Sequence, residues 1–234
     1  MIIHLITAGK YENQENWPSI WHKCFESLTK SEHNISIWNN EGIEQLLKED
    51  NNEFYKEYLS KLDIIYQIDY ARYIILKKYG GAYMDMDVEL IRDFFPLLDP
   101  NIIYLMEGTS GTFVENSIMI SPIQDPNKTH EQKSHIEKTY YELWNSVKNM
   151  AKNNIIRRFK EIDTNKKLVI ELTGPEMLST FFSKVTYQSS HLIYDILGYY
   201  QFGSVNSTLA FTKHHYSGVW CTMTEDIAKT TKNN

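Results

Sequence analysis

Two aspartates one residue apart, Asp85 and Asp87, end the run Tyr79-Gly80-Gly81-Ala82-Tyr83-Met84-Asp85-Met86-Asp87. In an extended strand alternate side chains share a face, so both carboxylates aim at one point while Met84, Met86 and Val88 pack behind them. Two like charges this close disfavour each other, and a divalent cation with oxygen ligands suits the place between them. A cation held there can grip a diphosphate. A bare Asp-x-Asp is common, however, and an ordinary half-exposed strand with Tyr83, Asp85, Asp87 and Glu89 on its wet face accounts for it as well.

Context separates the two readings. Asp69 and Arg72 lie three residues apart on the preceding helix and share a face. On a solvated helix such a pair contributes only about 0.2–0.5 kcal/mol. Here the helix is apolar nearly all round, with Ile64, Ile65, Ile68, Ile74, Ile75 and Leu76. Charges inside such a helix are costly unless paired or used. The use expected is for Asp69 to bind sugar hydroxyls and for Arg72 to hold Asp69 or reach phosphate. Gly80 then closes the helix, and Gly81 gives the backbone room to turn or to approach a ligand.

Two later clusters are candidates. His214 and His215 follow the last strand, and one neutral imidazole completes a metal shell or touches the diphosphate. Which of the two does so is open. Thr173-Gly174-Pro175 reads either as a turn with Thr capping the next helix or as a tight turn lining a sugar pocket. His4, inside an apolar strand, reads as a satisfied core histidine.

These residues need elements to position them. A strand over 2–6, a helix after Pro18 with Trp21, Cys24, Phe25 and Leu28 at helical spacing, a strand over 35–38 and a helix opened by Asn39-Asn40 make a β-α-β-α pattern. That pattern points to a parallel sheet. A helix over 62–79 follows, then strands near 102–106 and 117–120. Residues 126–160 read as a polar, solvated helical excursion with Ile136, Tyr140, Leu143, Trp144 and Val147 on one stripe. Strands are expected over 168–172 and 209–212, and the tail from Thr222 is polar. The fold class is therefore α/β, a single domain over 1–221 with a mainly parallel sheet.

Length and composition agree with one such domain: 234 residues, of which 42% are hydrophobic, supply a core. The net charge of −6 argues against nucleic acid, which requires a basic surface. It leaves a nucleotide ligand open, because a bound cation supplies the missing positive charge. Cys24 and Cys221 are the only cysteines, and no signal peptide or membrane-spanning run is evident, so a reduced, cytoplasmic setting is expected. The sequons at Asn34, Asn127 and Asn206 then carry no glycan. Nothing in the pattern bears on oligomeric state.

The residues resemble the family-32 glycosyltransferases, which include fungal initiating mannosyltransferases and bacterial capsular sugar transferases. The family pattern Asp-x-x-Arg-Tyr followed by Gly-Gly-x-Tyr-x-Asp-x-Asp stands here as Asp69-Tyr70-Ala71-Arg72-Tyr73 and Gly80 to Asp87. Ile2-Ile3-His4 and Trp38-Asn39 are similar to its first and second strands. Thr173-Gly174-Pro175 and His214-His215-Tyr216-Ser217-Gly218-Val219-Trp220 are similar to its later motifs. The match is dense over 1–98 and scattered afterwards, and Val219 stands where the family often has Ser.

The resemblance implies a GT-A fold, retention of anomeric configuration and dependence on Mn2+ or Mg2+. Asp87 would bind the metal directly, and Asp85 would touch ribose or sugar and help hold the ion. Leu5, Ile6 and Thr7 would face the nucleotide, and Tyr83, Thr173, Gly174, Pro175 and Trp220 would line the donor site. The implied partners are a nucleotide-sugar donor, UDP ahead of GDP, and a glycan-type acceptor. Two rivals share the same carboxylates: a metal-dependent nucleotide-sugar hydrolase or nucleotidyltransferase, and a nucleotide-sugar-binding module without turnover.

Overall fold

In a computed structural model of the chain, the described residues are 1–108, 112–162, 168–188, 194–197 and 210–217. The tail from Thr222 and Trp220 lie outside them.

The opening strand β1 (Ile2–Ile6) is followed by α1 (Ser19–Thr29), β2 (Asn34–Trp38) and α2 (Asn40–Glu57). Pro18 stands just ahead of α1, where a missing N–H costs nothing. Asn39 caps α2 by accepting the Gly42 amide at 2.9 Å. Next come α3 (Ile64–Tyr79), β3 (Gly81–Met84) and the short β4 (Val88–Leu90). The chain continues through β5 (Ile103–Glu107), β6 (Val114–Ser121) and α4 (His135–Ile162). It ends in α5 (Leu168–Leu172), α6 (Pro175–Gln188), β7 (Tyr194–Leu197) and β8 (Thr212–His214).

Six strands form one sheet in the order β2-β1-β3-β6-β5-β7. Three of its pairings are parallel, and β6 runs antiparallel between β3 and β5. Side chains alternate across it with period two. Ile3, Leu5, Ala82, Met84, Ile118 and Ile120 face α1, where Trp21 and Leu28 meet them. Ile6, Tyr83, Ile103, Leu105 and Met119 face a larger core built by α2 to α6. The sheet is thus covered on both sides, as parallel strands require. Among the described residues no helix is long and apolar enough to cross a membrane.

Three expectations change. The apolar run Leu168–Leu172 is one turn of helix, with Leu168, Val169 and Leu172 buried, and not a strand. A run this short fits either state, and only packing decides. Among the described residues the last strand is Thr212–His214, so His214 ends it and does not follow it. The segment read as a solvated excursion is α4, which begins at His135 and packs back on α3. Its Trp144 is fully buried, stacks on Tyr73 at 6.3 Å and donates to Ser121 Oγ at 2.9 Å, while Ile136 is exposed.

Candidate active site

The helix α3 ends because Gly80 takes φ +63°, ψ −146°, a combination open to glycine alone. Its amide still reaches Leu76 O at 3.0 Å. A Cβ on Gly80 would stand 2.0 Å from Pro122 O, and one on Gly81 2.6 Å from Ile2 O. The glycines therefore serve backbone packing where α3 turns into the sheet. They sit at the far end of β3 from the aspartates and do not line the central cavity, so of the two uses expected of Gly81 the geometry favours the turn. His4 supports the same turn. Its Nε2 lies 3.1 Å from Gly80 O and its Nδ1 accepts from Trp38 Nε1, and burial lowers its pKa to about 4.

The paired aspartates do not lie in one strand. The Asp85 amide extends the β3 ladder to Ser117 O at 2.9 Å, and then the Val88 amide closes a turn on Asp85 O at 3.1 Å. Asp87 sits in that turn, between β3 of the main sheet and β4 of a separate two-stranded ribbon. The carboxylates converge through a bend and not through strand alternation. Tyr83, which an ordinary half-exposed strand would leave wet, is buried, and its hydroxyl donates to Asp85 Oδ1 at 2.6 Å.

The ribbon explains which histidine arrives. β4 and β8 pair antiparallel with Val88 opposite His214. His214 thereby stands beside Asp87, with Nε2 3.2 Å from Asp87 Oδ1. His215 turns the other way, to Glu89 Oε2 at 2.8 Å, while its amide donates to Asp87 O. Of the two histidines left open by the sequence, His214 is the one that joins the aspartates.

Asp85, Asp87 and His214 each offer one ligand atom, and these atoms lie within 4.8 Å of one another. Two carboxylate oxygens and an imidazole nitrogen suit Mn2+, which takes a nitrogen ligand more readily than Mg2+ does. The two acids are tuned apart. Burial raises the Asp85 pKa, and the neighbouring Asp87 charge adds to this against the pull of Arg72. Burial also works against ionised Asp87, but His214 and the Ser217 amide, which donates to Oδ2 at 2.7 Å, overcome it and hold the pKa at about 2. Burial opposes the His214 imidazolium too, yet Asp87 and the other acids nearby raise its pKa above the usual 6.5.

Behind this group lies a buried network. Arg72 reaches Asp69 Oδ1 at 3.0 Å, Asn116 O at 2.8 Å and Asp85 Oδ1 at 3.5 Å, with its guanidinium 4.6 Å over the Tyr83 ring. Asp69 also accepts from Asn116 Nδ2 at 3.2 Å and from the Thr173 hydroxyl at 2.9 Å. Both Asp69 oxygens are engaged, so its geometry is that of a brace. Thr173 itself is fully buried; Gly174 and Pro175 line the cavity beside it.

That cavity encloses about 330 Å³ and gathers Ile6, Asp69, Arg72, Tyr83, Asp85, Asp87 and His214 in one place. Continuing the β1–β3 register sets Ile6 level with Asp85, at the carboxyl ends of parallel strands where open α/β sheets bind ligands. Leu5 points into the core on the other face of the sheet, and Thr7 is buried with an unpartnered hydroxyl; neither lines the cavity. Sequence reading missed Glu115, Asn116 and Ser117, which line it from the start of β6. The signal was three polar residues directly before the apolar run Ile118-Met119-Ile120, at the edge of a predicted strand.

Residues 16–107 match the family described as "Glycosyltransferase sugar-binding region containing DXD motif". That match spans the Asp69–Arg72 pair and the run from Gly80 to Asp87, on which the resemblance rests. Over 118 residues it is 30% identical to inositol phosphoceramide mannosyltransferase 3 of Schizosaccharomyces pombe, covering 50% of this chain and 32% of that protein. Over 93 residues it is 40% identical to an uncharacterized glycosyltransferase of Acanthamoeba polyphaga mimivirus, covering 37% and 35% respectively. The chain spans about a third of the length of these relatives. The solved structure of the PaToxG glycosyltransferase shares the fold at TM-score 0.52 and 16% identity, over 81% of this chain and 70% of that one.

Proposed function

We propose that this chain is a retaining, metal-dependent glycosyltransferase that moves a hexose from a nucleotide-diphosphate sugar to a hydroxyl of a glycan-type acceptor. The observation that carries the reading is the meeting of Asp85, Asp87 and His214 with Asp69 and Arg72 in one cavity at the strand ends. Asp85, Asp87 and His214 would hold the cation, with Mn2+ favoured by the imidazole. When bound, such an ion supplies Lewis-acid charge to a departing diphosphate.

The chain's own residues do the rest. Ile6 and Tyr83 border the donor, while Arg72, fixed by Asp69 and Asn116, holds Asp85 in place and adds positive charge to the cavity floor. Asp69 keeps Arg72 and Thr173 in register, and Gly174 and Pro175 close the wall on the sugar side. The apolar side chains Ile65, Ile68, Val169 and Ile170 exclude water from the cavity. The anomeric carbon gains oxocarbenium character as its bond breaks. Attack then comes from the face the diphosphate leaves, with the diphosphate taking the acceptor proton.

UDP is the favoured base and GDP the second. Mannose joins the panel of sugars because two matched fungal relatives are named as inositol phosphoceramide mannosyltransferases. A role in polysaccharide assembly at the cytoplasmic side fits this chemistry. The test is incubation with UDP- and GDP-sugars, with Mn2+ and a panel of glycosides, followed by proton NMR of the new linkage. Retained configuration supports the proposal. An inverted product, or free sugar regardless of acceptor, contradicts it.

A further inference from the structure

A second cavity of about 390 Å³ lies at the other end of α3, between α2, the start of α4 and the loop before it. It is built from cations in a chain whose net charge is negative. Four lysines and two carboxylates line it. On one side Lys77 and Lys148 share a single buried acid, Asp50, at 2.5 and 2.7 Å. Burial works against that carboxylate, but the two ammonium groups outweigh it and hold its pKa low. One acid between two lysines leaves a positive surplus.

Lys133 forms the opposite wall. It is 6% exposed and has no carboxylate within reach among the described residues. Its ammonium donates to Gln124 Oε1 and Asp125 O, both at 3.2 Å, which leaves one of its three N–H bonds unused. Gln124 is also buried, and its Nε2 has no partner. Both ammonium groups neighbour the Tyr141 ring, that of Lys77 at 5.6 Å and that of Lys133 at 5.7 Å. A buried cation with no carboxylate beside it is costly unless a further acceptor reaches its free donor. Lys78 and Lys128 at the rim are held by exposed ion pairs with Glu49 and Glu137, which contribute little and yield easily.

We propose that this cavity, formed by Lys77, Lys133 and the rim lysine Lys128, is a binding site for a phosphate group. The unused donor of Lys133 supplies a charge-assisted hydrogen bond to it. The site is separate from the Asp85–Asp87–His214 cavity and does not rest on the function proposed for that cavity. The phosphate belongs either to a small free ester or to a lipid headgroup.

Isothermal titration of the whole chain with inorganic phosphate, in EDTA so that no metal bridges the anion to the aspartates, tests it. Saturable binding is expected at constant ionic strength. Lys133→Met removes a charged hydrogen bond and weakens binding by about ten-fold or more. Lys128→Ala, at the exposed rim, weakens it less and covers the case in which Lys133→Met fails to fold. Asp87→Asn leaves it unchanged. Flotation with phosphatidic acid vesicles against neutral vesicles distinguishes the source: flotation lost in Lys133→Met assigns the same site to a headgroup. Equal phosphate affinity in wild type and both lysine variants overturns the proposal, as does failure of both phosphate and vesicles to bind.

Discussion

Asp87 and His214 tune each other in the cavity, and their titrations run in opposite senses. The lowered pKa of Asp87 contributes stability above pH 3.8 that is lost as pH falls toward about 2. The raised pKa of His214 contributes stability below pH 6.5 that is lost as pH rises through the folded value. Metal-free protein is therefore expected to be most stable between these limits and to weaken toward pH 8. His214→Gln should flatten the alkaline limb of a urea midpoint series. A metal ligand must be neutral imidazole, so Mn2+ affinity should climb as His214 deprotonates, by up to about ten-fold per pH unit. An affinity that does not change between pH 6 and 8 would remove His214 from the ligand set. Glu115 is the additional carboxylate in the cavity, with Oε2 4.0 Å from His214 Nδ1. Attack from the departing face makes no covalent use of it. Glu115→Gln should keep slow, retaining turnover. Total loss, with a glycosyl adduct on Glu115 trapped from wild type, would make it a nucleophile.

At the scale of elements, the α3–β3 junction is the most constrained point of the fold. Gly80→Ala places a methyl carbon against the Pro122 carbonyl in a conformation closed to alanine. The expected loss is at least about 2 kcal/mol, read from the urea midpoint. An unchanged midpoint would mean that the junction relaxes freely. This junction was legible in the sequence because a long apolar run followed by Gly-Gly has few other interpretations. The bend at Met86–Asp87 was not. Alternation of polar and apolar residues looks the same whether a strand continues or breaks, and the break here is fixed by β8, which pairs with β4 from the far end of the chain. The same pairing chose His214 over His215, a choice that adjacent identical residues conceal. Leu5 was misplaced because strand alternation sends it to the face opposite Ile6, and a motif names residues without saying which face each takes.

For the whole molecule, the sheet brings distant segments to one edge: Ile6 from the first strand, Asp69 and Arg72 from α3, the aspartates after β3, Glu115 from β6, Thr173 before α6 and His214 from β8. Such a site is tied to the folded state, so its ligands should stabilise the entire domain by mass action. Mn2+ with UDP or GDP is expected to raise the thermal midpoint cooperatively, each ligand enlarging the effect of the other. The central claim is that Asp85, Asp87 and His214 hold the ion through which a nucleotide diphosphate is bound. Electron paramagnetic resonance of Mn2+ titrated into the protein tests it most directly. Wild type should extinguish the free-ion signal stoichiometrically and change the bound spectrum on addition of UDP or GDP. Asp87→Asn, folded by circular dichroism, should leave the free signal standing. Full Mn2+ binding with an unaltered nucleotide response in that variant would contradict the account.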